Sequence, residues 1–451
     1  MRAGSPVNLW TVLAVCRFAA AFFAILNHSM KIGIFTDTYR PSVNGVVYVT
    51  EILRRNFEAA GHEVYIFAPS GDFSSKSDDD HIIRFPSING VVMDEGSMSV
   101  FFPPSVLKRI RELEFDVLHF LVPGPVGLMA IYAGNKLNIP VVAEYCTDYF
   151  QYVEHYPAAL PGIVALGLAL PFTFKVSRTE LVGMLRAGRP RIGLGNWGRE
   201  VVKNLLTVIH SHCDAVVVHS RKSAEQLESW QNGDRYSMSI IPTGVDPAAK
   251  PTSDEVRQLE GEWGVHPDDE VVLYLGRLSA EKNLDLLIGT MEELVRWRPH
   301  ARLVFVGDFD YRPTLEEHAK ASTVADRISF VGKIPHEQIG WAYAVGEVFA
   351  FPSMTDTQSL TLHEAALAGL PIVMVDEPVT EVVKDGVNGF FAKDDPIDMA
   401  AKLRRILEDP GLRKEMGKNS KKIARQFSEK RQAKLILDIY DRILKEREAT
   451  L

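Results

Sequence analysis

Short apolar runs, each separated from the next by a stretch with helical spacing, recur along most of this chain, and that alternation constrains the fold more than any other feature. Ile32–Phe35, Val64–Phe67, Val117–Phe120, Val141–Ala143, Ala215–Val218 and Ser239–Ile241 are runs dominated by Ile, Val, Leu, Phe and Ala. Runs of this kind suit strands covered on both faces, as in a parallel sheet flanked by helices. Val49–Ala60 and Val126–Leu137 are examples of the intervening helical patterns. Strand and helix in alternation predict a doubly wound α/β domain. The polar stretch Pro247–Asp254 interrupts the pattern and predicts a linker. Val271–Leu275, Leu303–Val306, Ile328–Val331, Val348–Phe351 and Ile372–Val375 then restate it, so a second domain of the same class follows. A length of 451 residues fits two domains, because one hydrophobic core rarely serves so long a chain. Two such domains facing each other leave a cleft, the usual ligand site.

A net charge of −8 argues against a nucleic-acid partner, whose footprint would be basic. Cys16, Cys146 and Cys213 have neither metal-ligand spacing nor the makings of a disulfide framework, which suits a reducing cytoplasm. The Ser/Asp-rich loop Ser70–Asp80 reads as a solvated turn. Two segments stand apart. Val7–Leu26 is almost wholly apolar and nearly long enough to cross a bilayer, but Arg17 interrupts it. Residues 1–29 therefore read as an apolar extension: a signal anchor, an interfacial helix, a cleaved signal, or residues upstream of a start at Met30. The second is an insertion over 157–199, where LPGIVALGLALPFTF precedes Lys175, Arg178, Arg186, Arg189, Arg191 and Arg199. Apolar beside basic suits a helix lying on an anionic leaflet, and equally a helical insertion packed on the first domain.

Function is most legible between Phe351 and Pro371. Asp356 falls in a polar loop and Glu364 inside the helix that follows, so both can face whatever docks at the helix N-terminus. Thr357, Gln358, Ser359 and Leu360 supply backbone N–H groups that a starting helix leaves without partners. Gly369 and Pro371 end the helix. Simple capping by Asp356 and Thr357 would explain the loop as well. The run Val271–Leu275 is followed by Gly276, Arg277 and Lys282, two cations in a loop beyond a strand's carboxyl end. Each alone could be a surface ion pair. Together, with a phosphate-ready helix in the same domain, they point to a diphosphate. No convincing Asp-x-Asp metal site accompanies these motifs, so fixed cations and amides are expected to hold the diphosphate.

GRLSAEKN, LVFVGDFD at Leu303–Asp310, VGKIPHEQ at Val331–Gln338 and FPSMTDTQSLTLHEA followed by GLPIV resemble, in order and spacing, the C-terminal half of family 4 retaining glycosyltransferases of the GT-B type. KIGIFTDTYRPSVNGVV at Lys31–Val47, GHEVYIFAP at Gly61–Pro69 and IPTGVD at Ile241–Asp246 extend the likeness over residues 30–450. TDTYRP, VNGVV and TDTQ are most similar to the branch that glycosylates diacylglycerol and related lipids.

The resemblance implies two Rossmann-like domains facing a cleft: an acceptor-side domain over 30–246, a nucleotide-sugar domain over 247–426, and a final helix within 427–451 crossing back to the first. It implies transfer of a hexose with retention, glucose from UDP-glucose, onto a membrane lipid such as diacylglycerol, with no cofactor or metal. The implied partners are a nucleotide-diphosphate sugar, a lipid acceptor and the cytoplasmic face of a membrane, held by peripheral contact. Arg277, Lys282 and Asp356 would act at the reacting centre. Gly45, Ile334, Thr357, Gln358, Ser359, Leu360 and Glu364 would bind the donor, with Gly45 beside the diphosphate, Ile334 at the base and Glu364 at the ribose. Three departures stand out: Asp356 where the family usually has Glu, Ser359 where Gly is frequent, and Cys146 where a His commonly contacts the donor sugar. Asp148, His119 and His155 remain nearby as partial substitutes. A non-catalytic nucleotide-sugar-binding relative, or a transferase acting on a soluble or polysaccharide acceptor, fits the same motifs.

Overall fold

Valine, isoleucine and phenylalanine fill the segments that become strands, and because these residues are buried on both faces the strands end up inside two parallel sheets. In the computed structural model, residues 29–42, 44–70, 79–85, 87–89, 97–99, 104–155, 160–173, 194–231, 236–335 and 338–450 are described. The extension 1–28, most of the Ser/Asp-rich loop, and Lys175, Arg178, Arg186, Arg189 and Arg191 lie outside them.

The first sheet contains β1 (Lys31–Phe35), β2 (Glu63–Pro69), β3 (Ile82–Phe85), β6 (Val117–Phe120), β7 (Val141–Tyr145), β8 (Ala215–Val218) and β9 (Met238–Ile240), ordered β3-β2-β1-β6-β7-β8-β9. Every pairing in it is parallel, with Ile32 opposite both Val64 and Val117. A separate antiparallel pair joins β4 (Ser87–Asn89) to β5 (Ser97–Ser99). The second sheet, β10 (Glu270–Leu275), β11 (Ala301–Val306), β12 (Ile328–Gly332), β13 (Val348–Phe351), β14 (Ile372–Met374) and β15 (Gly389–Phe391), runs β12-β11-β10-β13-β14-β15 and is likewise parallel. Strands β3, β4, β5 and β15 are absent from the sequence reading. Two of them are sheet edges and two form the small pair; all are short or polar, so no apolar run announces them.

Two helix starts also differ from the reading. The helix Gly45–Ala59 begins four residues before Val49 because the Asn44 side chain caps it, accepting from the Val47 N–H at 3.0 Å. The expected linker Pro247–Asp254 is shorter than its polarity suggests. Thr252 and Glu255 form a capping box that starts the helix Ser253–Glu262, and Asp254 lies in its first turn.

Helices cover both faces of each sheet. Against the first, Gly45–Ala59 shares one face with the last helix, Glu429–Glu448, whose Ile436, Ile439, Tyr440 and Ile443 are buried among Ile32, Ile34 and Val117. The chain thus returns from the second domain to complete the first domain's core. Its route passes the outgoing segment so closely that a Cβ on Gly244 would lie 2.3 Å from the Ser428 carbonyl. Gly244 N–H donates to Gln432 Oε1 at 2.9 Å, and Val245 N–H to the Phe427 carbonyl at 3.0 Å. Arg447 then holds Asp214 through three hydrogen bonds, at 2.9, 3.0 and 3.1 Å. On the opposite face, the apolar helix Leu160–Thr173 packs against Pro125–Leu137 and Leu194–Ser211, burying Leu160 and Leu170 while Pro161, Ala165 and Pro171 are exposed. Among the described residues no helix is long and apolar enough to cross a membrane.

Because the last helix supplies core to the first domain, Ile436→Ala should destabilise the protein by about 2–5 kcal/mol in urea unfolding. Lys434→Ala, on the same helix but solvated, should stay within about 0.5 kcal/mol. Equal effects for both would show that the helix contributes no core.

Candidate active site

Both sheets reverse their strand order once, between β1 and β6 and between β10 and β13. In open α/β sheets the crevice outside the strands' carboxyl ends at such a switch is where ligands bind. At the second switch β10 ends at Leu275, and Gly276 turns at φ 156°. Gly307, after the neighbouring strand β11, has φ 137°, and a Cβ there would sit 1.9 Å from the Gly276 carbonyl oxygen. The two loops can approach so closely only because Gly307 lacks a side chain, while Gly276 adopts a backbone conformation that other residues rarely take.

Beyond Gly276, Arg277 and Lys282 share one loop but have different surroundings. The Arg277 side chain is 56% exposed, lies 3.5 Å from Glu281 and stacks over the Phe309 ring. Lys282, largely buried, donates to Asp356 Oδ1 at 2.8 Å. Ser353 Oγ donates to the other Asp356 oxygen at 2.5 Å. Burial pushes the Asp356 carboxyl up, but Lys282, Ser353 and Lys222 together hold it below the usual carboxylate range. The pair is therefore ionic.

Asp356 leads into the helix Leu360–Ala368. Ser359 is its N-cap, yet its hydroxyl makes no capping bond and meets Thr361 Oγ1 instead, at 2.8 Å. The first-turn amides, Leu360 included, thus have no side-chain cap. Glu364, one turn in, accepts from the Tyr343 hydroxyl at 2.7 Å. Gly369 closes the helix at φ 93°. Ile334, after β12, lines a cavity of about 650 Å³ with Leu259, Trp263, Phe330 and Lys333.

The side chains of Thr357 and Gln358 reach across to the first domain. Thr357 Oγ1 donates to the Cys146 carbonyl at 3.0 Å. Gln358 Oε1 accepts from the Thr243 N–H at 2.7 Å while its Nε2 donates to the Thr243 carbonyl at 3.2 Å. The Ser220 hydroxyl donates to the Thr357 carbonyl, and Lys222 binds both Asp376 and the Met354 carbonyl.

On the first domain's side, Gly45 is the first residue of its helix rather than a loop glycine, and a Cβ there would meet nothing within 4 Å. Asp148 does not stand open beside Cys146. It is buried and accepts from Tyr145, Gln226 and the Phe150 and Gln151 amides, capping the helix Tyr149–His155. His155 ends that helix, and its side chain lies outside the described positions. His119, on β6, is fully buried, with Nδ1 on the Tyr440 hydroxyl and Nε2 3.0 Å from Glu144 Oε2. Glu144 Oε1 lies 3.3 Å from His219 Nε2, which is itself 3.4 Å from Cys146 Sγ. Burial pushes Glu144 up, but the two imidazoles hold it below the usual carboxylate range, and burial lifts the Cys146 thiol well above its ordinary value.

Glu144, His219 and Tyr440 are missing from the sequence reading. The signal available for Glu144 was a carboxylate interrupting an apolar strand run; His219 immediately follows β8, and Tyr440 comes from the far end of the chain. Asp37 also went unread. It follows β1 at the first switch, is partly buried, and accepts from the Val126 and Gly127 amides at 2.9 and 3.3 Å, holding the start of the helix Pro125–Leu137. A Cβ on Gly124 would strike its carboxylate.

Comparison with known proteins is consistent with this geometry. The model for "Glycosyltransferase Family 4" matches residues 43–249, and that for "Glycosyl transferases group 1" matches residues 256–423. An alpha-monoglucosyldiacylglycerol synthase of Acholeplasma laidlawii is 27% identical over 92% of this chain and 98% of its own length. The sulfoquinovosyl transferase SQD2 of Arabidopsis thaliana is 26% identical over 74% of this chain and 57% of its own. The crystal structure of Anabaena HepE in complex with UDP superposes with a TM-score of 0.66 at 17% identity, covering 91% of this chain and 100% of that one.

Burial pushes Asp37 up to about 7, against 3.8 in the open chain. Between those values the folded protein holds a proton that the unfolded chain has released. Stability should therefore be greatest below pH 4 as far as this group is concerned, and fall as pH rises through 7, with a slope approaching 1.4 kcal/mol per pH unit. In Asp37→Asn that part of the slope, read from urea midpoints between pH 5 and 8, should vanish.

Proposed function

We propose that this chain, which belongs to the family 4 glycosyltransferases, moves a hexose, glucose from UDP-glucose, onto a membrane lipid such as diacylglycerol, with retention and without a metal at the diphosphate. The observation that carries the reading is the uncapped amide end of the helix Leu360–Ala368 beside the Lys282–Asp356 pair. As the bond from the sugar to the diphosphate breaks, negative charge grows on the departing phosphate. Preorganised amides and an ammonium within a partly desolvated crevice stabilise that charge without having to reorganise. Asp356 keeps Lys282 ordered at the site, and the exposed Arg277 guanidinium can swing from Glu281 to the phosphates. Tyr343 orients Glu364 for the ribose hydroxyls, the open space before Gly45 leaves room for the diphosphate, and the cavity beside Ile334 has room for the base.

Support for a lipid acceptor comes from the relatives, two of which are alpha-monoglucosyldiacylglycerol synthases. The helix Leu160–Thr173, apolar and exposed at Pro161, Ala165 and Pro171, offers a surface for peripheral contact with the cytoplasmic leaflet.

Purified protein given labelled UDP-glucose and vesicles containing diacylglycerol should produce labelled lipid in excess EDTA at a rate within about twofold of that without it. Activity abolished by EDTA and restored by Mg²⁺ would overturn the metal-independent reading, and UDP binding without product across donors and acceptors would overturn the transferase reading. In the same assay Lys282→Ala should lower kcat by about 10²–10³-fold. Turnover left intact in Lys282→Ala and in the Arg277/Lys282 double variant would remove the two cations from the chemistry.

A further inference from the structure

We propose that Glu144, Cys146 and His219 form a binding site for one borderline-soft divalent cation of the zinc class. Among the described residues these are the three whose ligand atoms cluster as a metal site requires, all within 4.8 Å of one another. The argument begins with the tautomer of His219. Its Nδ1 lies 3.0 Å from the Ile241 carbonyl oxygen, which can only accept, so Nδ1 carries the proton. Nε2 then presents a lone pair. That lone pair faces a carboxylate oxygen of Glu144 at 3.3 Å and the Cys146 sulfur at 3.4 Å. In the metal-free protein the Cys146 thiol can donate its proton to that lone pair; a metal ion taking the proton's place would be held by the sulfur, the ring nitrogen and the carboxylate oxygen together.

The spacing suits the ion. With Zn–S of about 2.3 Å and Zn–N of about 2.0–2.1 Å, tetrahedral coordination separates sulfur from nitrogen by roughly 3.5 Å and nitrogen from a carboxylate oxygen by roughly 3.4 Å. Two edges of that tetrahedron already stand within about 0.2 Å of these values, and the third tightens on binding. The surrounding groups are also those of a ligating shell. Ile241 fixes the His219 ring through its other nitrogen, and His119, held by Tyr440, backs the second Glu144 oxygen. Both Glu144 oxygens are fully buried and neither makes a well-aligned hydrogen bond. A ligand that neutralises the carboxylate would resolve that.

A thiolate, an imidazole and one carboxylate select zinc or cobalt over magnesium, which takes oxygen ligands. Binding replaces the thiol proton, so one proton is released as the S–metal bond forms. Cys146 is partly exposed, and its carbonyl is bound by Thr357 of the loop that carries Asp356. The site does not depend on the transfer reaction: its readout is binding by the resting protein.

Full-length protein, reduced and freed of metal by a chelator, is titrated with Co²⁺. One equivalent should bind with a thiolate-to-cobalt charge-transfer band in the near ultraviolet, and Zn²⁺ should displace it. Cys146→Ser should lose the band, Cys213→Ser should keep it, and His119→Gln should keep it while weakening affinity about 10–100-fold. X-ray absorption of the zinc-loaded wild type should show one sulfur at about 2.3 Å with nitrogen and oxygen ligands at about 2.0–2.1 Å, a result that needs no variant. Absence of the band in wild type, its survival in Cys146→Ser, or a sulfur-free zinc shell would overturn the proposal.

Discussion

The short loop Met354–Gln358 is where the structure's separate requirements meet. It carries Asp356 to Lys282, starts the helix whose first-turn amides have no side-chain cap, and bonds to the first domain through Thr357, Gln358 and the Met354 carbonyl. The two outward-reaching side chains immediately follow the inward-facing carboxylate. The chain bends at Thr357, which allows one segment to serve both the site and the junction. The backbone that positions the candidate donor site is therefore the same backbone that fixes how the domains meet there.

Charge within the crevice is balanced locally. Taking Lys282 and Asp356 out of water is costly, and their attraction offsets that cost only because Ser353 satisfies the remaining carboxylate oxygen. An arriving diphosphate would compete with Asp356 for the ammonium. That competition explains why an acid can belong in an anion site: without it the lysine would be an uncompensated buried charge in the resting protein.

Both sheets were readable from strands such as Val271–Leu275, whose residues are apolar on both faces, and so was the final helix, whose stripe of Ile436, Ile439, Tyr440 and Ile443 has helical spacing. The candidate site in the second domain was readable for a related reason: Gly276 through Lys282 and Asp356 through Glu364 are each contiguous, so local spacing carries the message. What stayed hidden depends on distance along the chain. Gln358 meets Thr243, 115 positions away, and His119 meets Tyr440, 321 positions away. No periodicity records such pairs. Asp148 misled for the opposite reason, since its position beside Cys146 in sequence said nothing about the local amides that turn it into a cap. Edge strands such as β3 and β15 escaped because a run of three or four residues is too short to stand out from the loops around it.

Gly244 running alongside Ser428 has a mechanical consequence. The polypeptide passes between the lobes twice, and the two passages are stitched together by the Val245–Phe427 and Gly244–Gln432 hydrogen bonds. A joint with a single tether would let the lobes swivel freely; paired tethers lying side by side resist torsion and sliding. Any relative movement of the lobes must bend both passages at once and break the bonds that Thr357 and Gln358 make across the crevice.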